Sequence, residues 1–139
     1  MPTGTLATTA RQTHEQQVHY LRFRVRYNDT GIATGVGKQF LPAGAIIIGT
    51  DVHVAAAFNA GTSNVLTIGT NAATYDNIIA TADVNEAATG LTQNVKPTGA
   101  ALGPIAADAR VFAMYTQTGT AASAGDAYVV IKYIPDNDQ

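Results

Sequence analysis

The sequence predicts an all-β domain, built as a β-sandwich or jelly roll with about seven or eight antiparallel strands. Short runs of β-branched and aromatic residues recur along the chain, and each is bounded by Gly, Pro, Asn or Asp residues typical of turns. No segment shows the helical spacing of apolar residues that a long amphipathic helix requires. The length of 139 residues fits one compact domain.

Residues 1–16 are rich in Thr, Gln and small side chains without periodicity, so they are predicted to form a loose N-terminal arm that orders only against a partner. The β-sandwich domain is predicted to span residues 17–135. Its first strand begins at Val18, where apolar and polar side chains alternate strictly as far as Tyr27. Turn-forming residues 28–31 end this strand.

Three further strands are predicted in the first half of the chain, at 36–41, 45–58 and 65–69. Gly49 is expected to mark a bend or bulge in the second of them. Several apolar residues of that strand have the same parity and are predicted to share one face: Ile46, Ile48, Val52, Val54, Ala56 and Phe58. The polar loop at 59–64 has the spacing of a β-hairpin connection.

The second half of the chain alternates between strands and loops of small residues. Residues 70–88 are compatible with a short helix or with an irregular crossover. Strands are predicted at 89–95, 110–116 and 127–134, with a long Gly- and Pro-containing loop at 98–107. The chain closes with a short acidic tail at 136–139.

Composition excludes several classes of function. The net charge is −2 and the isoelectric point is about 5.8, which removes the usual electrostatic case for nucleic-acid binding as the main role, so any basic patch must be local. Only 13% of residues are charged. The chain has no cysteine, which rules out disulfides and thiolate metal sites and favours synthesis in the cytoplasm. The first residues lack the apolar stretch of a signal peptide, and no stretch resembles a membrane helix.

No catalytic, cofactor-binding or metal-binding residue is predicted. The run Gly35-Val36-Gly37-Lys38 lacks the longer spacing of a phosphate-binding loop. The histidines, at positions 14, 19 and 53, have no metal-ligand spacing. Asp76 and Asp83 would share a face only on a helix, and no nucleophile motif occurs. The sequence therefore predicts a protein that is not an enzyme.

The clearest candidate contact surface is a ridge of three arginines. Arg22, Arg24 and Arg26 project from one side of the first strand, about 7 Å apart. They form either a solvated outer face or an anion-seeking ridge that pairs with carboxylates of a partner or of a second copy. In the second case, Asp136 and Asp138 of a neighbouring tail would supply the carboxylates. Two residues of the N-terminal arm are further interface candidates, Arg11 and His14.

Two segments resemble a known family. The run FLPAGAIIIGTDVHVAAAFNAGTSNVLTIGT at residues 40–70 is followed near the C-terminus by AYVVIKYI at residues 127–134. This order of motifs resembles the small jelly-roll cement, or decoration, proteins on the heads of tailed bacteriophages, in particular those of short-tailed phages of the Bordetella type. The resemblance spans residues 18–134, and its motifs are structural rather than catalytic.

The resemblance implies a sandwich of jelly-roll type that self-associates as a homo-dimer or homo-trimer. It also implies a place on the capsid exterior of a virion, where the protein would bridge subunits of a major capsid protein of the HK97-type fold. Two alternatives remain: a carbohydrate- or receptor-binding module of a phage fibre, and an enzyme on a cupin-like barrel. The second alternative would need clustered His and Glu ligands, which the sequence lacks.

Overall fold

A computed structural model of the chain describes residues 18–136 as two antiparallel sheets packed face to face, which confirms the predicted β-sandwich. The seven strands are β1 His19–Arg26, β2 Val36–Leu41, β3 Ile46–Ala56, β4 Ser63–Gly69, β5 Gly90–Val95, β6 Ala109–Thr118 and β7 Asp126–Ile134. One 3₁₀ turn, Gly99–Ala101, lies in the loop before β6. The predicted arm at 1–16, with Arg11 and His14, and Asp138 of the tail lie outside the described residues.

The chain changes sheet at every connection. The larger sheet has the strand order β1-β7-β3-β5 and the smaller sheet has the order β2-β6-β4, so consecutive strands always lie in opposite sheets. The predicted hairpin between β3 and β4 is therefore wrong. The loop that joins them is anchored elsewhere, because the Asn59 side-chain oxygen accepts hydrogen bonds from the backbone N–H groups of Ser123 and Ala124 at 2.8 and 2.9 Å. This anchor ties the loop to the β6–β7 connection.

The predicted bulge at Gly49 is present and reverses the alternation of β3. The register against β7 shifts between Ile47 and Gly49. As a result, Ile47 is buried with Val52 and Val54, whereas Ile46 and Ile48 are exposed. The prediction that Ile46 and Ile48 share a face with the later valines is wrong, because the extra residue of a bulge moves all preceding side chains to the opposite face.

Residues 70–88 form an irregular crossover, one of the two predicted alternatives, and contain no helix. A single antiparallel bridge joins Ile79 to Ile68 of β4. Asparagine side chains hold the preceding turn: Asn71 accepts from the backbone N–H of Asp76 at 2.9 Å, and Asn77 accepts from that of Thr70 at 2.8 Å. These side chains take the place of strand hydrogen bonds, which sequence periodicity does not detect.

The core lies between the inner faces of the two sheets. The larger sheet contributes Val25, Val52, Val54, Val129 and Ile131, the smaller sheet contributes Leu41, Leu66, Ile68, Val111 and Tyr115, and the connections contribute Phe58, Ile78 and Ile79. The rings of Phe58 and Tyr115 meet at a centroid distance of 4.7 Å. Burial of each large apolar side chain contributes about 1.5–3 kcal/mol, so this layer is the main source of stability.

Side chains close two edges of the sandwich. On β1, the backbone carbonyl of Arg22 accepts from Gln39 Nε2 at 3.0 Å, and that of Arg24 accepts from Lys38 Nζ at 2.8 Å. On β4, the backbone N–H of Leu66 donates to the Glu86 carboxylate at 3.0 Å. The backbone groups along these edges are thereby partly satisfied within the chain.

Candidate interaction surfaces

The predicted arginine ridge lies on the outer face of the larger sheet, at its β1 edge. Arg22, Arg24 and Arg26 are all exposed, as the alternation of the strand requires. Arg24 already has a counter-ion, because Nε donates to Asp126 Oδ1 at 2.7 Å and a second guanidinium nitrogen donates to Asp126 Oδ2. This hydrogen-bonded arginine holds the pKa of Asp126 below its ordinary value. One of the three positive charges of the ridge is therefore compensated within the chain.

Tyr128 of β7 lies beneath the ridge. The guanidinium carbons of Arg22 and Arg24 lie 5.2 and 5.4 Å from the centroid of its ring, within the range of cation–π attraction. The Arg26 side chain has no hydrogen bond or ion pair with any residue from 18 to 136, although its backbone N–H donates to Asp29 at 3.0 Å. Arg22 and Arg26 thus keep guanidinium donors available to a partner.

Asp136 lies far from this ridge in its own chain. A Cβ atom built on Gly44 would come within 2.5 Å of the Asp136 Cβ, so Asp136 packs against the turn before β3. The ridge pairs with the first half of β7, since Arg26 faces Asp126 and Arg22 faces Val130. About eight residues of strand, or roughly 26 Å, separate the two ends of β7. Pairing of Asp136 with the ridge would therefore require a second copy.

An apolar patch, here called the apolar end, occupies the part of the same outer face that lies away from the ridge charges. Its side chains are 40–66% exposed: Val18, Tyr20, Ile46, Ile48 and Ile134. They come together because Ile46 faces Ile134 across β3 and β7, while β7 also pairs with β1. Grouped exposed apolar side chains of this kind mark contact surfaces more often than single ones do.

The outer face of the smaller sheet carries a cluster that we call the arginine platform, formed by Phe40, Tyr75, Arg110 and Phe112. The Arg110 guanidinium carbon lies 5.6 Å from the ring centroids of both Phe40 and Phe112. Tyr75 stacks on Phe112 at 4.6 Å with an interplanar angle of 21°. Phe40 is 62% exposed. The platform thus presents an aromatic face and a cation to the surroundings.

An open groove of about 380 Å³ continues along the same face. Outward side chains of β4 and β6 form its floor and the 70–88 crossover forms its wall: Val65, Thr67, Met114 and Thr116, with Ala73, Thr74, Asp76 and Thr81. The sequence prediction missed both the platform and the groove. The alternation of Arg110, Phe112 and Met114 in a predicted strand was the available signal, but the contribution of Tyr75 depended on the unpredicted turn.

The buried ionisable groups form hydrogen bonds within the sandwich. Burial raises the pKa of Glu86, whose carboxylate binds the edge of β4, and the hydrogen bond from Leu66 opposes that rise. Burial likewise raises the pKa of Tyr115, whose hydroxyl donates to the Asn64 side chain. Among residues 18–136, no three His, Asp or Glu residues lie together as metal ligands would. None of the helical segments in that range is long and apolar enough to cross a membrane.

No protein-family model matches the sequence, and no curated protein matches it. Solved structures of phage capsids contain chains with a similar fold. A chain of the cyanophage Pam1 capsid asymmetric unit aligns with a TM-score of 0.54 and 18% identity, covering 84% of each chain. A chain of the acidic stable capsid of Helicobacter pylori bacteriophage KHP30 aligns at 0.57 and 13%, covering 84% of this chain and 86% of that one.

The third similar chain comes from the capsid of Ralstonia phage GP4, with a TM-score of 0.56 and 12% identity, covering 88% of this chain and 86% of that one. At such identities the likeness establishes a shared fold. The similarity extends over most of both chains in every case, so it describes the whole sandwich rather than a local motif.

Proposed function

We propose that the protein is a structural component of a phage virion, a cement or decoration protein on the exterior of the head. In this role it binds the outer surface of the assembled shell and bridges neighbouring subunits of a major capsid protein of the HK97-type fold. The observation that carries the proposal is the fold, which recurs in chains from three phage capsids over most of their length. The motifs at residues 40–70 and 127–134 support the same assignment.

The strand order supports a jelly-roll topology within this proposal. A jelly roll has eight strands in two sheets, and the crossing connections seen here leave one place vacant beside β4 in the smaller sheet. Ile79, which forms a single bridge with Ile68 at that place, would be the remnant of the eighth strand. The chain would then be a jelly roll in which the turn held by asparagine side chains replaces one strand.

Self-association into a homo-dimer or homo-trimer forms part of the proposal. The apolar end is the surface best suited to it, because burial of Ile46, Ile134 and their neighbours between copies removes exposed apolar area from water. Arg22 and Arg26, together with Arg11 and His14 of the arm, stay contact candidates. Asp136 and Asp138 stay candidates as carboxylates offered by a neighbouring copy.

Stabilisation of the shell would follow from selective binding. A ligand that binds the assembled surface and not the separate subunits lowers the free energy of the assembly. Each contact can be weak, because a self-associated protein that spans several subunits gains from effective concentration. The protein would be made in the host bacterial cytoplasm and would function without a cofactor or a catalytic step.

The test is co-sedimentation of the purified protein with heads of the phage that encodes it, after accessory proteins have been stripped from them. We expect saturable binding to assembled heads and none to free capsid subunits. Binding to free subunits with equal affinity would contradict stabilisation by selective binding. A lack of binding to heads would contradict the proposed function itself.

A carbohydrate- or receptor-binding module of a phage fibre is the second candidate. The exposed ring of Phe40 and the open groove on the same outer face favour this reading, since sugars stack on exposed aromatic rings. Retention on immobilised host glycans, combined with a failure to bind stripped heads, would establish it in place of the first proposal.

A further inference from the structure

The folding of the chain does not explain the position of Arg110. Its guanidinium carbon lies 5.6 Å from the ring centroids of both Phe40 and Phe112, and the side chain forms no hydrogen bond or ion pair with any residue from 18 to 136. Aromatic rings cover the faces of a guanidinium but leave its N–H groups free to donate in its plane. A carboxylate is the acceptor that matches this planar set of donors.

Neighbouring glycines leave room for the arginine platform. A Cβ atom at Gly37 would lie 2.2 Å from Arg110 Nε, and a Cβ atom at Gly35 would lie 2.6 Å from the Tyr75 ring. Any other residue at either place would push the platform side chains aside. The two glycines therefore leave the space that Arg110 and Tyr75 occupy.

Tyr75 is held in a strained conformation. Its φ angle is 46°, in the left-handed region that bulky L-residues avoid. Asn71 stabilises this turn, because the backbone N–H of Tyr75 donates to the Asn71 carbonyl at 2.8 Å. Strain of this kind persists where the surrounding structure enforces it and is frequent at binding sites. Here it places the ring of Tyr75 over Phe112.

The platform and the groove form one continuous strip along β6. Arg110, Phe112 and Met114 alternate on the outer face, so successive side chains are about 7 Å apart. A partner segment with a carboxylate over Arg110 could therefore place an apolar side chain in the groove beside Met114 and Val65, about 14 Å away. This distance corresponds to about four residues of an extended chain.

We propose that the outer face of the smaller sheet binds an exposed acidic loop of the phage shell protein. The loop would place a carboxylate on Arg110 and an apolar side chain in the groove. This inference rests on the proposed function and adds an orientation to it, with the smaller sheet facing the shell and the larger sheet facing away. Charge complementarity is the argument for this occupant, because Arg110 has no acidic partner within residues 18–136.

The experiment compares single variants in binding to stripped phage heads. Arg110→Ala and Phe40→Ala should each weaken binding by about tenfold or more, as expected for an arginine or an aromatic anchor at an interface. Lys96→Ala and Leu91→Ala remove an exposed cation and an exposed apolar side chain at β5 of the larger sheet, and both should stay within about twofold of the unmodified protein. Arg26→Ala tests the arginine ridge as the alternative shell-binding surface. Arg110→Lys, which keeps the charge and loses the planar fork, should fall between these limits.

The outcomes separate the two proposals. Failure of the unmodified protein to bind heads would overturn the proposed function and this inference with it. Binding by the unmodified protein that survives Arg110→Ala and Phe40→Ala would overturn the inference alone. A selective loss in Arg26→Ala would instead make the arginine ridge the shell-binding surface. Unchanged thermal melting of Arg110→Ala would show that a loss of binding is not a loss of folding, and Phe40→Ala provides an independent result if that variant fails to fold.

Discussion

Arg24 on the larger sheet and Arg110 on the smaller sheet both project from an outer face of the sandwich, yet they have different neighbours. Arg24 forms a two-point hydrogen bond with Asp126 of the adjacent strand. Arg110 lies near the rings of both Phe40 and Phe112 and has no carboxylate partner among residues 18–136. The difference arises from the neighbouring strands, since β7 brings an aspartate to β1 whereas β2 brings a phenylalanine to β6.

This comparison changes the ranking of the arginines as contact residues. The three arginines of β1 attract attention in the sequence because they repeat at every second position. One of them is compensated within the chain and two lie near Tyr128. Arg110 stands alone in the sequence, and only its spatial neighbours distinguish it. The availability of a charge thus depends on the cross-strand partner more than on spacing along one strand.

The largest expected effect concerns the apolar end. Ile134→Lys places a charge in the middle of the exposed apolar group and should convert the proposed dimer or trimer into a monomer, because an unpaired charge at an apolar contact is costly to desolvate. Sedimentation velocity would measure the state. Leu91→Lys is the control, since Leu91 is also exposed on the larger sheet but lies on β5, away from the apolar end. A monomeric unmodified protein would contradict self-association.

The next effect concerns the space reserved for Tyr75. Gly35→Ala should lower the free energy of unfolding by about 2–4 kcal/mol, because the position combines a positive φ angle of 111° with a contact to the tyrosine ring. Gly103→Ala has a positive φ angle of 82° and meets no atom within 4 Å, so it should cost only about 1 kcal/mol. Chemical denaturation measures both. Equal losses would mean that the contact with Tyr75 contributes nothing.

A smaller effect is expected at the edge of the smaller sheet. Burial raises the pKa of Glu86, so the folded protein binds a proton there more readily than the unfolded chain does. Stability from this group is therefore full below its ordinary pKa of about 4.5 and declines as the pH rises through the raised value. Glu86→Gln keeps an oxygen for the Leu66 N–H and removes this decline.

We therefore expect Glu86→Gln to melt at a higher temperature than the unmodified protein at neutral pH, and the difference should shrink toward pH 4. Melting curves at several pH values would measure it. Asp83→Asn, a substitution of an exposed carboxylate in the same crossover, serves as the comparison. A difference that widens at acid pH would contradict the direction of the Glu86 pKa shift.

The smallest effect is expected at the Arg24–Asp126 pair. The lowered pKa of Asp126 has the opposite consequence, since its stabilising effect is present at neutral pH and is lost as the pH falls through the lowered value. Asp126→Asn should therefore lower the melting temperature only slightly at neutral pH and less still in high salt, because the pair is exposed. A large loss would show that Asp126 also has a structural role beyond the ion pair.

The sequence allowed the strands to be predicted better than their arrangement. Alternation located β1 and β6, and Gly49 correctly marked the bulge in β3. The same pattern could not show that β3 and β4 lie in different sheets, because alternation records inner and outer faces and not the identity of the neighbouring strand. The turn that carries Tyr75 depends on side-chain hydrogen bonds of Asn71 and Asn77, which have no periodic signature.

The same limit applies to the candidate surfaces. The exposure of Arg22, Arg24 and Arg26 followed from parity alone. The apolar end has no signal in the alternation, because parity puts Ile46 and Ile48 on the face of Val52 and Val54, and the bulge turns them to the opposite face. The arginine platform combines three separate parts of the chain, so no local pattern could have assembled it.

The hydrogen bonds that Lys38 and Gln39 make to the β1 backbone would matter for a protein that is present in many copies on one lattice. Crowding brings strand edges of neighbouring molecules close together, and an open edge invites uncontrolled polymerisation by strand addition. An incoming strand at β1 would first have to displace the ammonium group from the Arg24 carbonyl and the amide from the Arg22 carbonyl. In the proposed self-association, these two side chains would therefore oppose strand addition at the β1 edge.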